Sequence, residues 1–174
     1  FLHGREISRI YASDIDENLV SLAERNLSLL TREGLKKRME QIEAMYAQYG
    51  KESHLEALQS ALRLKDMLDR MDGDIDIRCF TADITKARDL AGFVNHVNLV
   101  ITDLPYGNIV SWSGEVDEKQ AVRRLLENIL PVLLPCSLVS VVSNKRMKVT
   151  YQGYRRIELF TVGKRQITIL QPVF

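Results

Sequence analysis

Val100-Ile101-Thr102-Asp103-Leu104-Pro105-Tyr106-Gly107 is an apolar β-run that stops on a carboxylate, a proline and an aromatic ring. Pro105 fixes its own φ and lacks a main-chain donor, so the run has to end there in a rigid turn. Asn98 to Thr102 is therefore expected to be a strand, with Asp103 just beyond its carboxyl end.

The same punctuation recurs upstream. Arg9-Ile10-Tyr11-Ala12-Ser13-Asp14 is a β-rich run ending on a carboxylate. Asp16 then stands as the N-cap of a helix whose apolar positions are Leu19, Val20, Ala23, Leu27 and Leu30. Ile75 to Thr81 alternates apolar and polar residues and is followed by Ala82-Asp83-Ile84, with Thr85 expected to cap a short helix through Leu90 and Phe93. Downstream, Ala121, Val122, Leu125, Leu126 and Ile129 mark one helical face that runs to the Pro131 and Pro135 region. Ser137 to Val142 reads as a buried strand, and Tyr154 to Thr161 with Arg165 to Gln171 reads as an antiparallel hairpin around Val162-Gly163-Lys164.

Residues 31 to 72 interrupt this rhythm. Leu35, Met39, Ile42, Tyr46 and Tyr49 step at helical spacing to Gly50, and Ser53-His54-Leu55-Glu56 is a capping box expected to open a second helix through Leu58, Leu62, Leu68 and Met71. A helical hairpin is thus inserted, its nearly balanced charges forming a solvated face and His54 lying at a helix end rather than in a catalytic role.

Strands alternating with helices give a Rossmann-like α/β fold: a largely parallel sheet, helices on both faces, and an antiparallel edge made by the last hairpin. Residues 1–174 are expected to form a single domain with 31–72 as its insertion. Phe1-Leu2-His3-Gly4 reads as the last turn of a helix with a Gly C-cap, not as a natural start. The expectation is that a first strand and its Gly-rich loop lie upstream, leaving two inner strand edges open in this stretch of chain.

The 174 residues, 45% hydrophobic, suffice for one such core. A net charge of +1, from 24 basic against 23 acidic residues, excludes a strongly basic tail. Cys79 and Cys136 sit in apolar runs without a C-x-x-C or Cys/His cluster, which reads as two buried thiols in a reducing compartment and gives no sign of a metal site. No apolar run approaches the roughly 20 residues of a membrane span and no signal peptide opens the chain, so a cytoplasmic location is expected.

In such sheets ligands bind at the carboxyl ends of the strands, where Asp14, Asp83 and Asp103 all fall. An acid after the second strand can accept both hydroxyls of a ribose, which serves NAD and S-adenosyl-L-methionine (SAM) equally. Asp14 takes that role, with Ile15 against an adenine face and Asp83 accepting from an adenine amino group. Asp103-Leu104-Pro105-Tyr106 separates the two cofactors. An exocyclic amine on a base is nearly planar and a poor nucleophile; a fixed carboxylate and a carbonyl accepting its two hydrogens would shift electron density onto nitrogen. Asp103 and the Leu104 carbonyl can supply that pair, and Tyr106 can stack on the base. A nicotinamide enzyme needs none of this.

Asp103-Leu104-Pro105-Tyr106-Gly107 resembles motif IV of the amino methyltransferases, and Ser13-Asp14-Ile15-Asp16 with Leu22-Ala23-x-x-Asn26-Leu27 resembles the ribose-binding motif of the same superfamily. More narrowly, Tyr49-Gly50-Lys51-x-Ser53-x-Leu55-Glu56-Ala57 in the insertion and Trp112-x-Gly114 after motif IV resemble the avilamycin-resistance ribosomal RNA methyltransferases. That resemblance implies methyl transfer from SAM to the N2 amine of a guanine in large-subunit rRNA. It also implies Asp14 and Ile15, Asp83 and Ile84 at the cofactor, Asp103 to Tyr106 at the target amine, and Trp112 beside the base. The partner is then rRNA or a ribosomal subunit. Between Asn144 and Arg165, cations including Lys145, Arg146 and Lys148 outnumber the single acid Glu158 and interleave with Tyr151 and Tyr154, a mixture suited to RNA phosphates and bases. The alternatives are a catalytically silent RNA-binding module on the same fold and, through Asp14 alone, a nucleotide-dependent dehydrogenase.

Overall fold

The computed structural model describes residues 7–86, 90, 92–105 and 117–174. The chain divides into two compact units, Phe1–Thr81 and Ala82–Phe174.

In the first unit β1 (Arg9–Asp14) pairs in parallel with β2 (Asp76–Thr81), Asp14 standing opposite Thr81. A parallel pair needs a crossover, and three helices supply it: α1 (Glu17–Leu27), α2 (Arg32–Tyr49) and α3 (Glu52–Asp69). As expected, Asp16 caps α1, accepting from the Asn18 N–H at 2.8 Å. The helical hairpin is present, and its turn is set by Gly50, whose φ of 61° is open to a residue without Cβ. Leu35, Ala61 and Leu68 are buried between α2 and α3, with Met39, Leu64 and Met71 packed around them. The expected capping box at Ser53 is not used. With Gly50 closing α2, Lys51 is the single linking residue and α3 starts at once, so Ser53 lies inside its first turn and the N-cap, Lys51, has no side-chain bond. Thr31 is the side chain that caps, holding the Gly34 N–H at 3.1 Å.

In the second unit the strand order is β3-β4-β6-β5, from β3 (Val97–Asp103), β4 (Leu133–Asn144), β5 (Tyr154–Val162) and β6 (Arg165–Pro172). β3 and β4 are parallel, while β6 runs antiparallel to both neighbours, so the last hairpin forms the antiparallel edge. The helix α4 (Glu118–Ile129) buries Ala121, Val122, Leu125, Leu126 and Ile129, the face read from its spacing. Each of the larger side chains contributes roughly 1.5 to 3 kcal/mol by leaving water. β1 pairs only with β2 and β3 only with β4 among the described residues, so the two strand edges expected to be open carry no neighbour there.

Three expectations change. Of the helix expected from Thr85, the described residues Thr85, Leu90, Gly92 and Phe93 lie in turns and Lys86 in a bend, and the Asp83 carboxylate takes both the Thr85 N–H and its hydroxyl. β4 begins at Leu133, after a 3₁₀ turn over Leu130–Val132, and not at Ser137. Its start is bulged: Val97 pairs with Leu133 but Leu99 with Leu138. Pro135 and Cys136 are pushed out by that bulge, so Cys136 is exposed; Cys79 is partly buried, and burial raises its thiol pKa. The helix end read in Phe1 to Gly4 lies outside the described residues.

Ser137 pins the bulge. Its hydroxyl, 0% exposed, donates to the Val97 carbonyl at 2.6 Å and accepts the Leu134 N–H at 2.8 Å. Ser137→Ala leaves both main-chain groups without that partner and is expected to cost roughly 1 to 3 kcal/mol in urea unfolding. In the folded protein Cys136 is expected to react with a thiol reagent well before Cys79; equal rates would contradict the bulge.

Candidate functional site

The first unit offers Asp14 and Ile15. Asp14 ends β1 and is half-buried; its Oδ1 accepts the Asp16 N–H at 3.0 Å, which folds the chain sharply into α1. Its other oxygen accepts no bond among the described residues. Ile15 is 47% exposed, an apolar surface at a strand end next to an unused carboxylate oxygen. This fits a ribose hydroxyl with an apolar ring beside it.

Within the second unit, Asp83 is more committed. Its Oδ1 accepts the Thr85 N–H at 3.0 Å and the Thr85 hydroxyl at 2.6 Å, and its Oδ2 lies 3.1 Å from Lys86 Nζ. Burial by itself would raise this carboxyl, but the bonds from Thr85 and Lys86 outweigh it and hold the pKa below the ordinary value. The Ile84 carbonyl accepts from the Asn128 side chain of α4 at 3.0 Å, which ties this turn to the helix.

Asp103 ends β3. The next residue extends the strand pairing by one bond: the Leu104 N–H donates to the Val142 carbonyl at 2.9 Å, and the Leu104 side chain is 2% exposed. The Leu104 carbonyl accepts no hydrogen bond among the described residues. The chain therefore presents a half-exposed carboxylate and an unused carbonyl in consecutive residues on a buried anchor.

Sequence reading missed the neighbour of that carboxylate. Arg165, the first residue of β6, places Nη1 3.5 Å from Asp103 Oδ2. Asp103 pairs in register with Val142 on β4, and Asn144, further along the same face of β4, pairs with Arg165, so the sheet carries the two side chains to one face. Both are about half exposed, so the pair contributes at most about 1 kcal/mol to folding; its effect is to orient the carboxylate. Nothing local in the sequence signals a partnership across 62 residues.

Beyond β4, Lys145, Arg146 and Lys148 are exposed, as expected. The loop they occupy is held by Asn144, whose side chain accepts the Arg146 N–H at 3.0 Å and whose carbonyl accepts the Met147 N–H at 2.9 Å. Met147 and Val149 are buried between these cations. Tyr106 and Trp112 lie outside the described residues. No cluster of three or more His, Cys, Asp or Glu side chains able to hold a metal occurs among the described residues.

Parallel strands with carboxylates at or just past their ends, an Asp-Leu-Pro stretch whose Leu104 carbonyl accepts no bond among the described residues, and an antiparallel last strand belong to a Rossmann-like methyltransferase. Comparison with known proteins narrows this class. The profile of the rRNA methyltransferase AviRa matches residues 1–165. The 23S rRNA (guanine(2535)-N(1))-methyltransferase of Streptomyces viridochromogenes is 32% identical over 172 residues, 98% of this chain and 68% of that protein. Two solved structures of the rRNA methyltransferase aviRa from the same organism cover 98% of this chain and 68% of theirs, one at TM-score 0.83 and 30% identity, the other at 0.79 and 31%. The chain belongs to the AviRa rRNA methyltransferase family. Methyltransferases of this family use SAM.

The Asp83 turn makes a prediction about acid stability. Asp83 binds its proton less tightly in the folded than in the unfolded chain, so the stability it contributes is fully present above its ordinary value of 3.8 and is lost as pH falls below that through the folded-state pKa. Asp83→Asn is expected to flatten the fall of the urea midpoint in that acid window; an unchanged acid limb would show that the turn bonds carry no such linkage.

Proposed function

We propose that the two units serve as one methyltransferase domain, with residues 31–72 inserted in it, which methylates the Watson–Crick edge of a guanine in 23S rRNA. The observation that supports this most directly is the pair of acceptors at the end of β3, the Asp103 carboxylate and the Leu104 carbonyl, which accepts no hydrogen bond among the described residues. The N1–H and N2–H donors of guanine lie side by side, so one carboxylate can accept from both. The motif resemblance points to the N2 amine. The name of the 32%-identical relative points to ring N1, and similarity over 98% of the chain outweighs a five-residue motif. N1 is therefore the proposed position.

SAM supplies an electrophilic methyl group on a sulfonium. Asp14 would hold a ribose hydroxyl with the oxygen that accepts no bond among the described residues, Ile15 would lie against the adenine, and Asp83 and Ile84 are assigned to the same cofactor. Tyr106 and Trp112 are assigned to the base, which has to leave its stack to be reached. Asp103 would take the proton that N1 must lose, and the lone pair so freed, in the ring plane along the former N–H bond, would form the bond to the methyl group as that group's bond to the sulfonium sulfur breaks. The Leu104 carbonyl accepts from the adjacent amine and fixes the ring plane. Arg165 holds the Asp103 carboxylate in place. Lys145, Arg146 and Lys148 meet RNA phosphates, and whether the partner is naked rRNA or a subunit changes none of these roles.

Asp103→Ala is expected to reduce methyl transfer from labelled SAM to 23S rRNA by at least about 10²-fold, with SAM affinity within a few-fold. Full transfer by that variant would sink the mechanism. An N1-methylguanine blocks base pairing and halts primer extension on the treated rRNA, whereas a single N2 methyl lets it pass; read-through with full label incorporation would restore N2. No label transfer by the wild-type protein, with rRNA binding intact, would favour a silent RNA-binding module.

A further inference from the structure

The loop after β4 and the antiparallel strands line a half-open cavity of about 210 Å³ in the second unit. That is room for about seven waters at about 30 Å³ each, enough for a phosphodiester group and part of its hydration. Its lining includes Lys145, Arg146, Lys148 and Arg156, with Gln166 and Thr168 from β6. None of the four cationic side chains has a carboxylate partner or a side-chain hydrogen bond among the described residues, so their charge faces the cavity and solvent uncompensated. Gln166 is already used, donating from Nε2 to the Met147 carbonyl at 3.1 Å and so fixing the loop on the sheet.

Thr168 is the second and independent observation. It is 1% exposed, lies in register between Val141 and Leu159 on one face of the sheet, and its Oγ1 has no hydrogen-bond partner among the described residues. A buried hydroxyl left unpaired is costly, and valine would suit a packed strand position better. At the wall of a cavity lined by four cations, such a hydroxyl is a donor waiting for an anion.

We infer that this cavity is a built subsite for a backbone phosphate of the rRNA substrate, with the Thr168 hydroxyl as its buried donor and Arg156 and Lys148 as its charged walls. The inference rests on the rRNA reading above. It adds Arg156 and Thr168 to the three cations legible in the sequence. It also ties the RNA backbone to the strand beside the reacting carboxylate, since β4 ends at Asn144, just past Val142, the register partner of Asp103. A phosphate held here sets where the flanking nucleotide can place its base.

The test titrates the protein and its Thr168→Val, Arg156→Ala and Lys148→Ala variants with a 23S rRNA transcript over a salt series, and records their thermal midpoints. Thr168→Val is expected to raise Tm, because it removes the unpaired hydroxyl, yet to weaken rRNA binding roughly tenfold. Each charge removal is expected to lower the slope of log affinity against log salt by about one. A Thr168→Val protein that gains stability and binds rRNA as tightly as wild type, with wild-type slopes in both charge variants, would overturn the subsite. Inorganic phosphate at matched ionic strength separates a free-anion site: phosphate binding that depends on Thr168, with rRNA binding that does not, would also overturn it. Label transfer from SAM is followed in parallel. Wild-type transfer with variants unchanged in KM for rRNA counts against the subsite alone, whereas no wild-type transfer with Thr168-dependent rRNA binding counts against the methyltransferase reading and supports the subsite.

Discussion

The pairing of β3 with β4 holds the Asp103 carboxylate and the Leu104 carbonyl side by side. The Leu104 N–H bond to the Val142 carbonyl continues the parallel ladder one residue past Asp103, while the Leu104 side chain is sunk in the core. Pro105 then ends the pairing because it has no N–H to offer. Asp103 is thus held by main-chain geometry, and the Leu104 carbonyl beside it accepts no hydrogen bond among the described residues. A carboxylate on a flexible loop would lose much of the orientational advantage that an acceptor pair needs.

The three strand-end carboxylates look alike in sequence and differ in what surrounds them. Asp83 spends both oxygens on Thr85 and Lys86, and its depressed pKa reports that investment. Asp14 gives one oxygen to the Asp16 N–H, and its other accepts no bond among the described residues. Asp103 faces Arg165 across the sheet. The gradient runs from turn-former to open acceptor, and it follows the number of donors that the local chain brings within reach. Tyr154 shows the same rule outside the site: its hydroxyl is desolvated against α4 and donates to the Leu126 carbonyl at 2.8 Å, and burial pushes its pKa well up.

Periodicity was enough to read most of the architecture. The buried face of α4, the helical hairpin closed at Gly50, the Asp16 cap and the terminal hairpin all follow from residue spacing and single-residue chemistry. The misreadings share a cause, which is competition between two plausible local partners. Ser53 had the pattern of a cap but lay too far past Gly50 to be one, and Thr85 had the chemistry of a cap but was itself captured by Asp83. Cys136 sat in an apolar run whose alternation was reset by the bulge that Ser137 pins.

By itself the sequence determined the order of strands and helices, the acids at the strand ends and the Asp-Leu-Pro turn, because these depend on period and on the stereochemistry of single residues. Only the tertiary structure decided which acid is spent and which is available, that Arg165 reaches Asp103, and that Thr168 brings an unpaired hydroxyl to a cluster of cations. The last two facts depend on register between strands far apart in the chain. A shift of one residue would turn each of these side chains to the other face of the sheet.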